Sequence, residues 1–328
     1  MFKGLMIEKS DTKYSTTLKE LDEAQLPEGD VTVKVSYSTI NYKDALAITG
    51  KGPIVRNFPM IPGIDFVGVV EQSSHPDFKV GDNVILNGWG VGETHWGGLA
   101  QLARVNGDWL IPLPPTLSPK HAMTLGTAGY TAMLCIQALL QHGLKPEDGE
   151  IAVTGATGGV GSVATLILSQ LGFQVVAITS SLVESDYLKS LGATEVMDKA
   201  LLPPPSKPLL KERWAAAIDV LGGKTLSSLC SSTRYQGIVA ACGLAESIDL
   251  PITVAPFILR GVTLAGIDSV RRSKADRIIA WERLAKLADS ARLEALTTEI
   301  SLEDVPRYCD QLLNNQFRGR FVVNTGTT

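Results

Sequence analysis

The stretch Ile151-Ala152-Val153-Thr154-Gly155-Ala156-Thr157-Gly158-Gly159-Val160-Gly161 decides the fold of this chain. Its first residues are mostly apolar, as in a buried strand. Glycines follow, and residues 158–171 are then apolar with helical spacing and end at Gly172, which suits a helix C-terminus. A strand, a glycine-rich turn and a helix in this order predict the phosphate-binding turn of a βαβ unit.

The glycine spacing in this turn is typical of a dinucleotide site. Written as G-x-G-x-x-G, the pattern falls on Ala156, Gly158 and Gly161, so alanine replaces the first glycine. Gly158 allows a pyrophosphate to approach the backbone, and Gly161 allows the helix to pack on the strand. Because a helix N-terminus offers free N–H groups and a positive dipole end, the predicted phosphate ligands are Thr157, Gly158, Gly159 and Val160. A glycine-rich turn needed only for packing is the alternative.

The rest of this half alternates strand with helix. Residues 174–179 read as a strand and 185–191 as a helix, and four more strand-like segments follow at 194–198, 214–220, 237–243 and 262–267. This order predicts an α/β domain with a parallel, doubly wound sheet whose strands are buried on both faces. The proline-rich residues 201–208 predict a surface connection.

The two ends of the chain are richer in short β segments. Val31, Val33 and Val35 alternate with polar residues, and glycines and prolines separate the segments, which indicates a barrel or sandwich. Ser118-Pro119 predicts a helix start, and a long amphipathic helix begins at Ser273. A strand at 295–300, a helix at 302–314 and a strand at 319–323 resemble the N-terminal part, so we expect them to return to it.

Length and composition limit the function classes. The 328 residues suit two domains, and 45% hydrophobic with 20% charged residues suits folded cores. The net charge of −4 provides no basic face for nucleic acid. We see no apolar run of about 18 residues and no secretory signal, so the expected location is cytoplasmic and no membrane partner is expected. Four widely separated cysteines exclude a dense disulfide framework.

The end of the second strand bears on the coenzyme. An NAD site places an acid there for the ribose diol, whereas this strand ends in Thr179, Ser180 and Ser181. Hydroxyl donors suit a 2′-phosphate, so NADPH is favoured. No arginine stands at this position, and Lys199 after the third strand is the basic candidate. A solvated loop without a binding role is the alternative.

At this point the chain resembles a known family. It is similar to the zinc-independent quinone-oxidoreductase branch of the medium-chain dehydrogenase/reductase superfamily, and within it to the acryloyl-CoA reductase (NADPH) group. The similarity spans most of the chain, and its specific part is a Trp-rich loop together with an N-Y-K-D segment. The matching segments are 41–47, 62–68, 88–98, 126–132, the glycine fingerprint and 188–193.

The resemblance implies an architecture and further contacts. It implies a GroES-like, β-rich catalytic domain formed by residues 1–120 and 268–328, a Rossmann nucleotide-binding domain at 121–267, an active site in the cleft, and a homodimer. It also implies that Ile258 and Arg320 contact the coenzyme. Strand topology adds Leu244 and Ser269, which follow the predicted fifth and sixth strands. Leu244 and Ile258 have plain core positions as their alternative.

The same resemblance predicts metal-free chemistry. Zinc-dependent relatives supply Cys, His and Glu ligands where this chain reads Asn41-Tyr42-Lys43-Asp44 and Gly63-Ile64-Asp65, and no cysteine precedes Cys135. The predicted reaction is therefore hydride transfer from NADPH to the activated C=C bond of a small-molecule enoyl thioester, most simply acryloyl-CoA. Tyr42 and Asn41 are the catalytic candidates, since an enolate needs hydrogen-bond donors. The resemblance also implies that Tyr42 contacts the nicotinamide ribose, and a buried aromatic at a domain edge is the alternative for Tyr42. A quinone reductase and a non-catalytic NADPH-binding protein are the alternatives.

Overall fold

Strands and helices follow one another through most of the chain in the computed structural model, which describes residues 1–11, 13–314 and 316–327. The strands of this described part are β1 (Phe2–Lys9), β2 (Tyr14–Leu21), β3 (Val31–Thr39), β4 (Asp65–Ser73), β5 (Asn83–Asn87), β6 (Leu102–Val105), β7 (Ile111–Pro112), β8 (Glu150–Thr154), β9 (Gln174–Thr179), β10 (Glu195–Asp198), β11 (Trp214–Asp219), β12 (Thr233–Ala241), β13 (Thr263–Gly266), β14 (Thr297–Ser301) and β15 (Arg320–Asn324). The helices are α1 (Tyr42–Thr49), α2 (Pro119–Gln141), α3 (Gly159–Gln170), α4 (Ser185–Ser190), α5 (Gly223–Ser232), α6 (Ala255–Leu259), α7 (Lys274–Leu287), α8 (Ser290–Leu296) and α9 (Val305–Leu313).

Two compact units contain these elements. One comprises Met1–Tyr130 with Ser269–Thr328, and the other comprises Thr131–Asp268. The division of roles predicted for residues 1–120 with 268–328 and for 121–267 stays a prediction.

The unit at 131–268 contains a six-stranded parallel sheet, as predicted. Its order is β10-β9-β8-β11-β12-β13. The chain moves outward from β8 to β10 and then resumes on the other side of β8 at β11. This reversal is the topological switch point, and ligands of such sheets bind outside the carboxyl ends of the strands next to it.

The other unit contains a seven-stranded sheet. Its path is β14-β15-β3-β4-β5-β7, with β6 also paired to β3, while β1 and β2 form a separate two-stranded sheet. The predicted return of the C-terminal residues is confirmed, because β15 pairs antiparallel with β3 through Val322 and Thr39. Val31, Val33 and Val35 are fully buried, as their alternation with polar residues predicts.

One strand boundary differs from expectation. The strand predicted at 295–300 begins only at Thr297, because α8 continues to Leu296. The start of α8 is capped by Asp289, whose side chain accepts a hydrogen bond from Arg292 N at 3.0 Å.

The helix α2 resembles a membrane span in composition, although the sequence shows no uninterrupted apolar run of about 18 residues. It has the required length, and its mean hydropathy is 1.3. Since 78% of that window is buried inside the protein, α2 is a core helix.

Candidate active site

Asp65 is a fully buried carboxylate at the start of β4. Its Oδ2 accepts hydrogen bonds from Asn41 Nδ2 and from Thr127 N, both at 2.8 Å. Its Oδ1 accepts from Asn87 Nδ2 at 2.9 Å and from the Thr127 hydroxyl. Four donors therefore converge on one buried side chain, and both of its carboxylate oxygens accept hydrogen bonds.

A kink in α2 makes one of these bonds possible. Gly126 has φ 49° and ψ −154°, a conformation that essentially only glycine adopts. The kink frees the N–H of Thr127 from the helix ladder and directs it at Asp65. A Cβ at Gly126 would lie 2.8 Å from Asp65 Oδ2, so glycine is required by space as well as by φ.

Asp44 is a second buried carboxylate. Its Oδ2 accepts hydrogen bonds from the backbone N of Asn41 at 2.9 Å and from its Nδ2 at 3.2 Å, and its Oδ1 accepts from Ile64 N at 3.0 Å. Asp44 thereby caps α1. Burial, and next the charge of Asp65, raise the pKa of Asp44 to about 6, although the hydrogen bonds from Asn41 and Ile64 oppose the shift.

Arg320 provides the positive charge of this region. Its Nη2 donates to Thr39 Oγ1 at 2.8 Å and to Asn41 Oδ1 at 3.1 Å, and its Nε donates to Thr124 O at 3.1 Å. Burial lowers the pKa of Arg320, while Asp65 and Asp44 oppose that shift. With these partners Arg320 is a structural member of the cluster, and its predicted contact with the coenzyme stays a prediction. We call Asn41, Asp44, Asp65, Thr127 and Arg320 the Asp65 network.

The two catalytic candidates differ in availability. Both amide hydrogens of Asn41 donate to carboxylates, to Asp44 and to Asp65, and Asn41 itself is 8% exposed. Tyr42, the first residue of α1, is 46% exposed. The network therefore holds the backbone that carries Tyr42, while Tyr42 itself is accessible to solvent. Asn41 has a positioning role in this arrangement, and direct catalysis by either residue stays a prediction.

The same positions do not fit a zinc ion. Asn41 and Asp65 stand where the resemblance places the ligands of zinc-dependent relatives, and both side chains are already fully hydrogen-bonded. Among the described residues, no group of three or more His, Cys, Asp and Glu side chains is arranged to hold a metal ion.

The predicted phosphate-binding turn connects β8 to α3 in the other unit. Gly155 has φ +55°, and a Cβ at Gly161 would lie 2.4 Å from Gly155 O, which confirms the packing role of Gly161. Ser162 N donates the first helical bond, to Gly158 O. The N–H groups of Gly159 and Val160 precede that bond, and no side chain caps this described helix end. These free donors fit a coenzyme pyrophosphate.

The candidates for the adenosine end follow neighbouring strands. Thr179 at the end of β9 pairs in register with Asp198 at the end of β10, so Ser180 and Lys199 leave the sheet side by side. Ser180 is exposed, and Ser181 N donates to Thr179 Oγ1 at 3.0 Å. The sequence did not lead us to expect Asp198 here, whose carboxylate accepts from Ala200 N at 2.9 Å.

Lys199 has an ion-pair partner that the sequence did not predict. Its Nζ lies 3.0 Å from Oε2 of Glu246, in the loop after β12. Leu244 in the same loop is 65% exposed and Ile258 on α6 is 72% exposed, so neither is a core residue. Ser269 belongs to the other unit, where its carbonyl accepts from Arg277 Nη2 at 3.1 Å.

Comparison with known proteins assigns the family. Residues 27–115 match the family model of the alcohol dehydrogenase GroES-like domain, and residues 159–286 match that of zinc-binding dehydrogenases. The chain is 53% identical, over 98% of both chains, to "Probable acrylyl-CoA reductase AcuI" of Escherichia coli (strain K12). The chain belongs to the medium-chain dehydrogenase/reductase superfamily.

Further relatives place it within that superfamily. The yhdH oxidoreductase from Salmonella enterica, solved in complex with NADP, superposes with a TM-score of 0.97 at 52% identity, over 98% of this chain and 99% of that one. A provisionally named quinone oxidoreductase of Bacillus subtilis (strain 168), YhfP, is 45% identical over 98% of both chains. Its structure with NAD bound superposes with a TM-score of 0.94 over 99% of both chains. The predicted zinc-independent branch and the predicted GroES-like plus Rossmann fold class are confirmed.

Proposed function

We propose that this dehydrogenase/reductase uses NADPH to reduce the C=C bond of an α,β-unsaturated thioester, acryloyl-CoA, to propanoyl-CoA. The observation that carries the proposal is the similarity to two relatives over nearly the whole length of each chain: 53% identity to "Probable acrylyl-CoA reductase AcuI" of Escherichia coli and 48% identity to "Acrylyl-CoA reductase AcuI" of Ruegeria pomeroyi. The NADP complex of the Salmonella relative supports the coenzyme.

Residues of this chain suit each half of the coenzyme. The free N–H groups at the start of α3 receive the pyrophosphate, and Ser180 with Lys199 receives the 2′-phosphate. Leu244 and Ile258 offer exposed apolar contacts. When bound, NADPH supplies the hydride that adds to the β-carbon of the substrate.

The chain's own part in the reaction is to orient the alkene and to stabilise negative charge on the thioester oxygen. Tyr42 is the donor we assign to that oxygen, since its phenol is the accessible group of the pair. The Asp65 network fixes Tyr42 through the backbone of Asn41, which donates to Asp44 at 2.9 Å. This assignment needs no metal.

The experiment that tests the proposal follows NADPH absorbance with the purified full chain. We expect rapid NADPH oxidation with acryloyl-CoA and formation of propanoyl-CoA in equal amount. Butanoyl-CoA, which is saturated, is the control and should give none. Tight NADPH binding without turnover of acryloyl-CoA or of a quinone would support a non-catalytic NADPH-binding protein instead.

A quinone is the second candidate acceptor. It is favoured by the 45% identity to YhfP of Bacillus subtilis, which is provisionally named a quinone oxidoreductase. An electron-poor quinone accepts hydride in the same geometry, so both substrates should be compared by kcat/KM under one set of conditions.

Homodimer formation and a cytoplasmic location are further proposals. The described part of the sheet ends at β13, an edge strand. Three large apolar side chains in the segment before it are strongly exposed: Ile248 at 79%, Val254 at 66% and Leu259 at 64%. Such a surface suits pairing with a second copy. Sedimentation of the wild type and of Leu259→Glu tests this, with a dimer and a monomer as the expected results.

A further inference from the structure

The ion pair between Lys199 and Glu246 connects two loops that follow strands on opposite sides of the switch point. Lys199 follows β10, the edge strand, and Glu246 follows β12. Between these strands lie β9, β8 and β11, and the switch point lies between β8 and β11. The pair therefore joins its two loops at the edge where the adenosine half of a dinucleotide binds.

Glu246 is held in place by hydrogen bonds with two neighbouring residues, Thr225 and Leu221. Its Oε2 accepts a hydrogen bond from Thr225 Oγ1 at 2.6 Å and its Oε1 accepts from Thr225 N at 3.3 Å, in the first turn of α5. Its backbone N donates to Leu221 O at 2.8 Å. Burial favours the neutral carboxyl, but the hydrogen bonds from Thr225 and Lys199 outweigh it and lower the pKa of Glu246.

Lys199 is the more exposed partner of the two. Its side chain is 37% exposed, and its ammonium group stands at the end of a flexible four-carbon stem. Glu246 is its one ion-pair partner among the described residues. The register of Thr179 with Asp198 places its backbone beside Ser180. The ammonium can therefore reach the fixed carboxylate or an anion held at Ser180, and the two anions compete for its single positive charge.

We propose that Glu246 sets the coenzyme preference of this chain by competing with the 2′-phosphate for Lys199. The inference rests on the proposed use of NADPH and adds a specificity-determining residue to it. With Glu246 ionised, Lys199 gives the 2′-phosphate less attraction than a free lysine would, and the carboxylate itself repels the phosphate. Glu246 therefore narrows the advantage of NADPH over NADH.

The test is Glu246→Gln, because the amide oxygen can still accept the hydrogen bond from Thr225 Oγ1 at 2.6 Å, while the charge and the longer bond from Thr225 N are removed. Isothermal calorimetry at low salt should compare adenosine 2′,5′-bisphosphate with adenosine 5′-monophosphate. We expect the bisphosphate to bind at least about 3-fold more tightly in the variant, from the usual worth of an exposed ion pair plus the lost repulsion. The monophosphate should be unaffected. In a Lys199→Ala background most of the gain should disappear.

Glu195→Gln is the matched control, since Glu195 pairs with Arg213 at 2.8 Å at the opposite end of β10. An unchanged or weaker affinity of Glu246→Gln for the bisphosphate would overturn the inference. So would an equal gain for both nucleotides, or an equal gain in Glu195→Gln. The measurement needs no thioester, so failure of acryloyl-CoA turnover leaves its result intact. Conversely, wild type that binds the two nucleotides equally would refute NADPH preference itself.

Discussion

The side-chain nitrogen Nδ2 of Asn41 lies 2.8 Å from the carboxylate oxygen Oδ2 of Asp65, in the interior of the β-rich unit. This contact ties the start of α1 to the start of β4. Asp44 adds a second tie, through its bond from Ile64 N at 3.0 Å. Since Tyr42 follows Asn41 directly, these buried hydrogen bonds hold the backbone that carries its phenol.

Gly126→Ala should disrupt this arrangement. The new Cβ would lie 2.8 Å from Asp65 Oδ2 at a φ of +49°. We expect the free energy of unfolding in urea to fall by about 2–4 kcal/mol, from backbone strain and the damaged hydrogen bond from Thr127. Gly143→Ala is the control, because its φ is also positive, +97°, but a Cβ there meets nothing within 4 Å. Equal losses in both variants would show that Asp65 is not involved.

The raised pKa of Asp44 predicts a pH dependence of stability. Its value is about 6 in the folded protein against 3.8 for an ordinary aspartate, so the folded state favours the protonated form. Protonated Asp44 therefore contributes to the free energy of unfolding. This contribution is complete below about pH 4 and is lost as pH rises through 6, at up to about 1.4 kcal/mol per pH unit. Urea unfolding between pH 4 and 7 should show this fall reduced in Asp44→Asn. The exposed Asp310→Asn should retain it, and a fall unchanged in Asp44→Asn would exclude Asp44 as its source.

Local patterns in the sequence predicted the fold better than the site. Short periodic segments and glycines determine the turn between β8 and α3 and the alternation of strands with helices. Both features could therefore be predicted from the sequence. The Asp65 network could not, because Asn41 and Arg320 are 279 residues apart in sequence and meet only through β-sheet pairing. The pair Lys199–Glu246, 47 residues apart, was missed for the same reason.

Tyr42→Phe separates a hydroxyl role from a packing role. If the phenol donates to the developing enolate, kcat should fall by roughly 10²–10⁴-fold while NADPH binding stays the same. If the ring only packs on the nicotinamide, Tyr42→Ala should instead weaken NADPH binding with little change in kcat for Tyr42→Phe. Tyr235→Phe, an exposed tyrosine of the other unit, is the control. Wild-type kinetics in both Tyr42 variants would remove Tyr42 from the site.

Metal removal should not affect the enzyme, although residues 159–286 match a family described as zinc-binding. Asn41 and Asp65 are occupied by hydrogen bonds and offer no open ligand set. We expect elemental analysis of the active enzyme to find no stoichiometric zinc, and prolonged dialysis against a chelator to leave kcat/KM unchanged. Zinc that is lost together with activity, and restored with it, would contradict the metal-free assignment.

Ser180→Asp should reverse the coenzyme preference. Ser180 leaves the end of β9 beside Lys199, where the 2′-phosphate is expected, so a carboxylate there repels that phosphate and can bind the ribose diol of NADH. We expect kcat/KM for NADPH to fall by about 10- to 100-fold, the worth of one or two hydrogen bonds to a charged group, while NADH improves. Gln174→Asp adds the same charge at the opposite end of β9 and should leave the preference for NADPH unchanged.

Lys199→Ala should narrow the preference for NADPH over NADH without reversing it. The reason is that Glu246 already pairs with Lys199 and weakens the attraction between that lysine and the 2′-phosphate. Equal use of NADH and NADPH by the wild type, or no effect of Ser180→Asp, would show that the 2′-phosphate binds elsewhere.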